Sequence, residues 1–181
     1  MEIIRPINTE RLGIRCLDQH DWPGSLKFMT DPVATRHLLF SDDMKSEEGA
    51  RNLFEATIAS YSTDDPIHAY AIALKNNGFI GSCGFSGIDV DAGIYECFYT
   101  LPPEYWSNGY AIEAKKAPIE YCFEVYGINE MRAYVSTENP ASLKVAERAG
   151  MKYLGIQEHP LTGVRGEMYA MRVSISGQLG R

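Results

Sequence analysis

The chain has no cysteine spacing that binds metal or forms a redox pair. Cys16, Cys83, Cys97 and Cys122 make no CxxC and no finger-type set. Three of them sit inside apolar runs and read as buried free thiols, which points to a reducing cytoplasm. His20, His37, His68 and His159 show no ligand spacing, so no metal is expected. No apolar core with a cleavage site follows the start "MEIIRPINTERLGIR", and no run approaches membrane-spanning length. Neither a leader nor a membrane partner is therefore expected. Basic charge is short: 17 Lys and Arg stand against 24 Asp and Glu, a net charge of −7. That argues against a nucleic-acid binder, which needs a basic face, and fits a cationic partner better. No GK[ST] loop and no GxGxxG is present, and "GFSGI" is one glycine out of register for a hydrolase elbow.

What is present suits a single α/β domain over residues 1–181. Of 181 residues, 45% are hydrophobic, enough for one sizeable core, and no Pro/Ser-rich linker divides them. "RLGIRCL" (11–17) alternates as a strand, and "DQHDWPGSLKFMTDP" (18–32) reads as a short helix. "SEEGARNLFEATIASY" (46–61) opens on a Ser cap with early glutamates and reads as a helix. Residues 68–88 form a hairpin around Asn76-Asn77-Gly78, and 93–101 a third strand stopped by Pro102-Pro103. A long helix follows over 109–126, ended by Gly127, and then a strand over 130–136. That strand–helix–strand unit requires a parallel pair with a crossover helix. "NPASLKVAERAG" (139–150) is a helix with Asn-Pro at its start and Gly at its end. Strands over 151–159 and 166–175 close the order.

The stretch "YWSNGYAIEA" (105–114) carries small polar residues and a glycine into a helix start. Two readings are open. One is a tight turn; the other is an anion site, because first-turn N–H groups point outward and attract negative charge. With no lysine in the turn, backbone donors and the helix dipole would have to bind the anion, which suits a pyrophosphate.

"ECFYTLPPEYWSNGYAIEA" (96–114), followed by "NPASLKVAERAGMKYLG" (139–155), resembles the GNAT superfamily of acetyl-CoA-dependent N-acetyltransferases. The closest likeness is to the RimJ/RimL branch, which acetylates ribosomal-protein N-termini, and the opening "TERLGIRCL" resembles that branch's first strand. The resemblance spans roughly residues 9–172. It implies a splayed mixed sheet flanked by helices, with coenzyme A between the strands at 93–101 and 130–136. It implies that the backbone of Trp106, Ser107, Asn108, Gly109, Tyr110 and Ala111 cradles the pyrophosphate. Tyr99, Thr100 and Leu101 would offer backbone groups to the pantetheine arm. Ser107 stands where the branch usually has Gly; binding is expected to survive unless the backbone there needs an angle only glycine takes. Asn139 and Ser142 match the family's N-x-x-S. Asn139 is implied to bond the coenzyme arm and Ser142 to protonate the leaving thiolate. A helix entry explains both residues equally well. The place of a tyrosine acid found in other members holds Val145 or Ala146.

Acetyl transfer to an amine needs held reactants, a neutral amine, a stabilised oxyanion and a protonated thiolate. Alternation sets Glu96 with Ile94, Phe98 and Thr100 on one strand face, where a carboxylate among apolar groups is a stronger base than in water. Glu96 is thus a candidate general base, acting through water. The competing reading is a buried carboxylate paired to an arginine. Glu113 is read as structural. Lys144 and Arg148 meet either a 3′-phosphate or solvent, and Trp22, Phe40, Tyr61 and Tyr70 line either an acceptor groove or the core. The acceptor is open between a protein N-terminus and a small amine, with a non-catalytic acyl-CoA-binding module as a third reading. A homodimer is also left open.

Overall fold

The structure, a computed structural model, describes residues 1–76 and 78–173. It forms two compact units, one of residues 1–84 and 99–114 and one of 85–98 with 115 onward.

In the first unit β1 (Ile7–Asn8), β2 (Leu12–Arg15), β3 (Ala69–Leu74) and β4 (Gly78–Asp89, here to Gly84) follow one another as antiparallel neighbours. The predicted alternation of 11–17 holds over Leu12–Arg15, where Leu12 and Ile14 are fully buried and Gly13 and Arg15 half-buried; it ends there, with Cys16 half-buried and Leu17 buried. A 3-10 turn, Gln19–Asp21, leads into α1 (Trp22–Met29), and Asp18 caps the turn. Asp21 is buried, and Arg15 satisfies it with a two-pronged ion pair of 2.7 and 2.8 Å. α2 (Glu47–Ser60) starts where its sequence says, with Ser46 Oγ accepting from the Gly49 N–H at 3.0 Å. The two helices bury Phe28, Met29 and Ala50 together, with Phe40 against them. Leu17, Phe54 and Ala71 form a second cluster, against which Trp22, Tyr61 and Phe79 pack. β4 comes close to the end of β5 (Ile94–Thr100) at Gly81, where an added Cβ would lie 2.2 Å from the Thr100 carbonyl oxygen.

In the second unit β5 lies parallel to β6 (Glu130–Val135), through the pairs Ile94–Glu130, Tyr95–Met131 and Glu96–Arg132. The crossover is α3 (Tyr110–Tyr121), which enters this unit at Lys115 and continues as a π turn, Cys122–Tyr126. Gly127, in the left-handed conformation, ends it as expected. α4 (Pro140–Arg148) follows, and β8 (Arg165–Arg172) pairs antiparallel with both β6 and β7 (Lys152–Glu158). Glu130 accepts hydrogen bonds from Arg132 and Arg172, tying β6 to β8. The strand pairing is therefore mixed, parallel between β5 and β6 and antiparallel between β6 and β8 and between β7 and β8.

Three short pieces lack a sequence signal: β1 and the 3-10 turns Asp43–Lys45 and Pro103–Tyr105. Two or three residues show no period to read. Asn77 of the predicted hairpin turn and residues 174–175 of the predicted last strand lie outside the described residues.

Candidate active site

The strand-to-helix turn lies in the first unit. Thr100 and Leu101 are buried at the end of β5, and the chain then passes through the Pro103–Tyr105 turn. Ser107 has φ 61°, the one non-glycine residue with positive φ among the described residues, and Gly109 has φ 79°. Ser107 thus holds an angle that favours glycine; a serine takes it under strain, so it is not an angle that only glycine can take. Three hydrogen bonds fix the turn. The Trp106 indole N–H donates to the Leu101 carbonyl at 2.6 Å, and Asn108 Nδ2 donates to the Trp106 carbonyl at 2.9 Å. Arg11 Nη1 donates to the Asn108 carbonyl at 2.8 Å. The first helical bond runs from the Glu113 N–H to the Gly109 carbonyl, so the N–H groups of Tyr110, Ala111 and Ile112 precede the helical ladder.

The turn has no lysine, but it does have a cation. Arg11, brought from β2's approach, lies 4.7 Å over the Tyr110 ring, and an added Cβ on Gly109 would stand 3.4 Å from its Nη2. Glu113 anchors it, accepting from Arg11 Nε and from the Arg11 backbone N–H, both at 2.8 Å, and from Thr9 Oγ1. Burial pushes the Glu113 carboxyl up, yet the bonds from Thr9 and Arg11 together outweigh it and leave the carboxyl below its ordinary range. The structural reading of Glu113 matches this arrangement. Sequence separation hid Arg11's part, since nothing local links residues 11 and 113.

Glu96 lies in the second unit. Tyr95 and Cys97 are buried, while Ile94 and Glu96 are half-buried and Phe98 is exposed. Exposure varies along the predicted face of Ile94, Glu96, Phe98 and Thr100, since Thr100 at its end is buried. Among the described residues Glu96 is partnered by a histidine and not by an arginine. His159 Nε2 meets Glu96 Oε2 at 2.7 Å, and the His159 ring packs edge-on to Tyr134, with 4.6 Å between centroids. No signal in the sequence joins residues 63 positions apart. Cys97 is no competing nucleophile: burial pushes its thiol up, Lys115 offsets this only in part, and its Sγ donates to the Arg132 carbonyl at 3.3 Å.

Asn139 is the cap of α4, its side-chain oxygen accepting from the Ser142 backbone N–H at 3.1 Å. That bond uses the Ser142 backbone and leaves its hydroxyl out, and it takes Asn139's oxygen but not its amide NH2. Val145 is half-buried and Ala146 buried, and Lys144 and Arg148 are exposed. Tyr70 is fully buried, whereas Tyr61, Trp22 and Phe40 are partly buried and pack against the helix clusters; Tyr61 donates to the Ala69 carbonyl. All four cysteines are free thiols. Among the described residues no group of three His, Cys, Asp or Glu side chains is arranged to hold a metal. No helix among them is long and apolar enough to cross a membrane.

The mixed strand pairing, the crossover helix and the strand-to-helix turn define an α/β protein. Residues 11–152 match the acetyltransferase (GNAT) domain, and the chain belongs to the GNAT family of N-acetyltransferases. A Bacillus licheniformis relative, the uncharacterized N-acetyltransferase p20, is 28% identical over 149 residues, covering 82% of this chain and 83% of its own. A GNAT-family acetyltransferase from Bacillus anthracis superimposes with TM-score 0.77 at 24% identity, over 93% of this chain and 98% of that one. RimL, a ribosomal-protein α-N-acetyltransferase in complex with coenzyme A, superimposes with TM-score 0.76 at 20% identity, over 93% and 98% of the two chains. A spermidine N-acetyltransferase from Vibrio cholerae, solved with coenzyme A and spermine, gives 0.71 at 16% identity, over 93% and 98%.

Proposed function

We propose that the whole chain acts as one acetyltransferase domain, moving an acetyl group from acetyl-CoA to a primary amine in a ternary complex. The preferred acceptor is a protein N-terminal α-amine. The observation that carries this reading is the Trp106–Ala111 turn: left-handed at Ser107 and Gly109, braced by Arg11, and opening onto the free end of α3. Such a turn fits a diphosphate, whose charge meets backbone N–H donors, the helix dipole and one guanidinium. In this reading Tyr99, Thr100 and Leu101 guide the pantetheine arm, and a backbone N–H there meets the oxyanion. The Leu101 carbonyl already accepts from the Trp106 indole N–H.

Glu96 takes the amine proton, directly or through water, and the Asn139 amide NH2 bonds the coenzyme while Ser142 Oγ returns a proton to the thiolate. The α-amine is favoured because its pKa of about 7.7–8 leaves a useful neutral fraction near pH 7, whereas lysine at about 10.4 needs far stronger assistance. Four free thiols suit work in the cytoplasm. A second reading, a small polyamine as acceptor, is supported by the net charge of −7 and by the likeness to a spermidine enzyme. Equal concentrations of a basic peptide with a free N-terminus, a lysine-containing blocked peptide and spermidine, supplied with acetyl-CoA, decide between them. Acetyl groups located by mass spectrometry on the α-amine support the first reading. Acetylation of spermidine or lysine alone replaces it.

A further inference from the structure

His159 begins the turn between β7 and β8, and its own ring organises that turn. Its Nδ1 faces two backbone donors, the N–H groups of Leu161 and Thr162, both at 3.2 Å. The His159 N–H donates to the Val164 carbonyl at 2.8 Å, and the Gly163 N–H donates to the His159 carbonyl at 2.8 Å. A nitrogen that accepts from two N–H groups carries no proton of its own, so the neutral ring holds its hydrogen on Nε2. That is the nitrogen 2.7 Å from Glu96 Oε2. β6 contributes Tyr134, whose ring fixes the plane of the imidazole. The His159 side chain is 9% exposed and that of Glu96 21%, so the imidazole is the covered partner and the carboxylate the one that reaches outward.

We propose that His159 is the positioning residue for Glu96. Its Nε2–H occupies Oε2 and pins the carboxylate rotamer, which leaves Oε1 to receive the proton of the amine or of a bridging water. The turn Leu161–Val164 sets the tautomer and thereby the direction of the bond. No proton passes through the imidazole, because its only bare nitrogen is covered by Leu161 and Thr162. The base and the β7–β8 turn therefore move as one body. This rests on the reading of Glu96 as the base.

Two conservative replacements separate this role from mere support of the turn. Asparagine at 159 keeps an oxygen near the place of Nδ1, so His159→Asn retains the acceptor for Leu161 and Thr162 but loses the donor to Glu96. Glutamine reaches further, so His159→Gln keeps an N–H for Glu96 but not the turn acceptor. Acetyl transfer is measured with spermidine and with a basic free-N-terminus peptide as probe amines, alongside circular dichroism. His159→Asn is expected to lower kcat roughly ten- to a hundredfold with KM for acetyl-CoA within about twofold, the scale expected for a misplaced base. His159→Gln is expected to stay within a fewfold of wild type in kcat. The reverse order, Asn active and Gln impaired, overturns the proposal and leaves His159 a turn residue. Nitrogen-15 NMR of the imidazole gives a reading that needs no activity: the Nε2–H tautomer is expected, and the Nδ1–H tautomer refutes the assignment. Glu96→Gln serves as the reference. Full turnover in that variant sinks Glu96 as the base, whereas a crippled Glu96→Gln beside a fully active His159→Asn sinks only the positioning role.

Discussion

Replacing Ser107 with glycine should stabilise the protein, against the usual direction for a glycine introduced into a loop. An L-residue in the left-handed region costs about 1–2 kcal/mol relative to its relaxed conformation. Glycine removes that cost but gives the unfolded chain more freedom, worth about 0.4–1 kcal/mol in the opposite sense. Ser107 is exposed, so deleting its hydroxymethyl group removes little packing. The difference lies between about 0 and 1.6 kcal/mol in favour of glycine, centred on about 0.8 kcal/mol, which for a chain of this size is a rise in Tm of roughly 2–3 °C. Ser107→Val is the control: a β-branched residue at φ 61° is worse placed than serine and should lower stability. Thermal and urea unfolding of the three proteins measure this, and coenzyme A titration of each checks that the turn stays competent. If Ser107→Gly loses stability by the ordinary loop-glycine amount while Ser107→Val is neutral, residue 107 does not hold a left-handed backbone, and the strain argument fails.

Gly109→Ala places a Cβ at φ 79°, 3.4 Å from Arg11 Nη2, and should weaken coenzyme A binding up to roughly tenfold by calorimetry. Unchanged affinity in the folded variant would count against the turn as a diphosphate site. Arg15→Met leaves the Asp21 carboxylate buried without its cation. Because Arg15 is a third exposed, the expected loss is about 2–3 kcal/mol in urea unfolding, below that of a fully interior pair. His68 is pushed down to about 4, first by burial and then by the chain's amino terminus, and its Nδ1 lies 2.7 Å from the Tyr70 hydroxyl. Below its ordinary value the unfolded chain takes up a proton that the folded one refuses, so stability is present above about pH 6.5 and is lost as pH falls toward about 4. The ring is half-buried, so solvent screening reduces the effect to about 1 kcal/mol. Between pH 7 and pH 5, His68→Gln should lose less stability than wild type, and an identical decline in both would remove His68 from the account.

Local signals carried most of the fold. Ser46 before Glu47-Glu48, Asn139 before Pro140 and Gly127 after the long helix each act within a few residues of the boundary they mark. The sequence therefore displayed those boundaries directly. The parallel pairing of β5 with β6 followed from chain geometry alone, since a helix must bridge two such strands. The site was legible only in part. Asn139 and the turn at 106–111 could be placed, but what they touch depends on partners distant in the chain. Arg11 reaches residues 108 and 113, and His159 reaches residue 96. An acidic side chain on a strand advertises its charge but not its neighbour. The angle at Ser107 was equally hidden, because serine carries no signature of a left-handed backbone.

The bonds Trp106–Leu101, Asn108–Trp106 and Arg11–Asn108 have a thermodynamic meaning for any anion that docks at the turn. The donors are immobilised before the ligand arrives, so little conformational entropy remains to be lost on association. Docking of an anion at this braced turn would bury charge without folding a loop. Its heat-capacity change then reports only the apolar surface that the rest of the ligand covers.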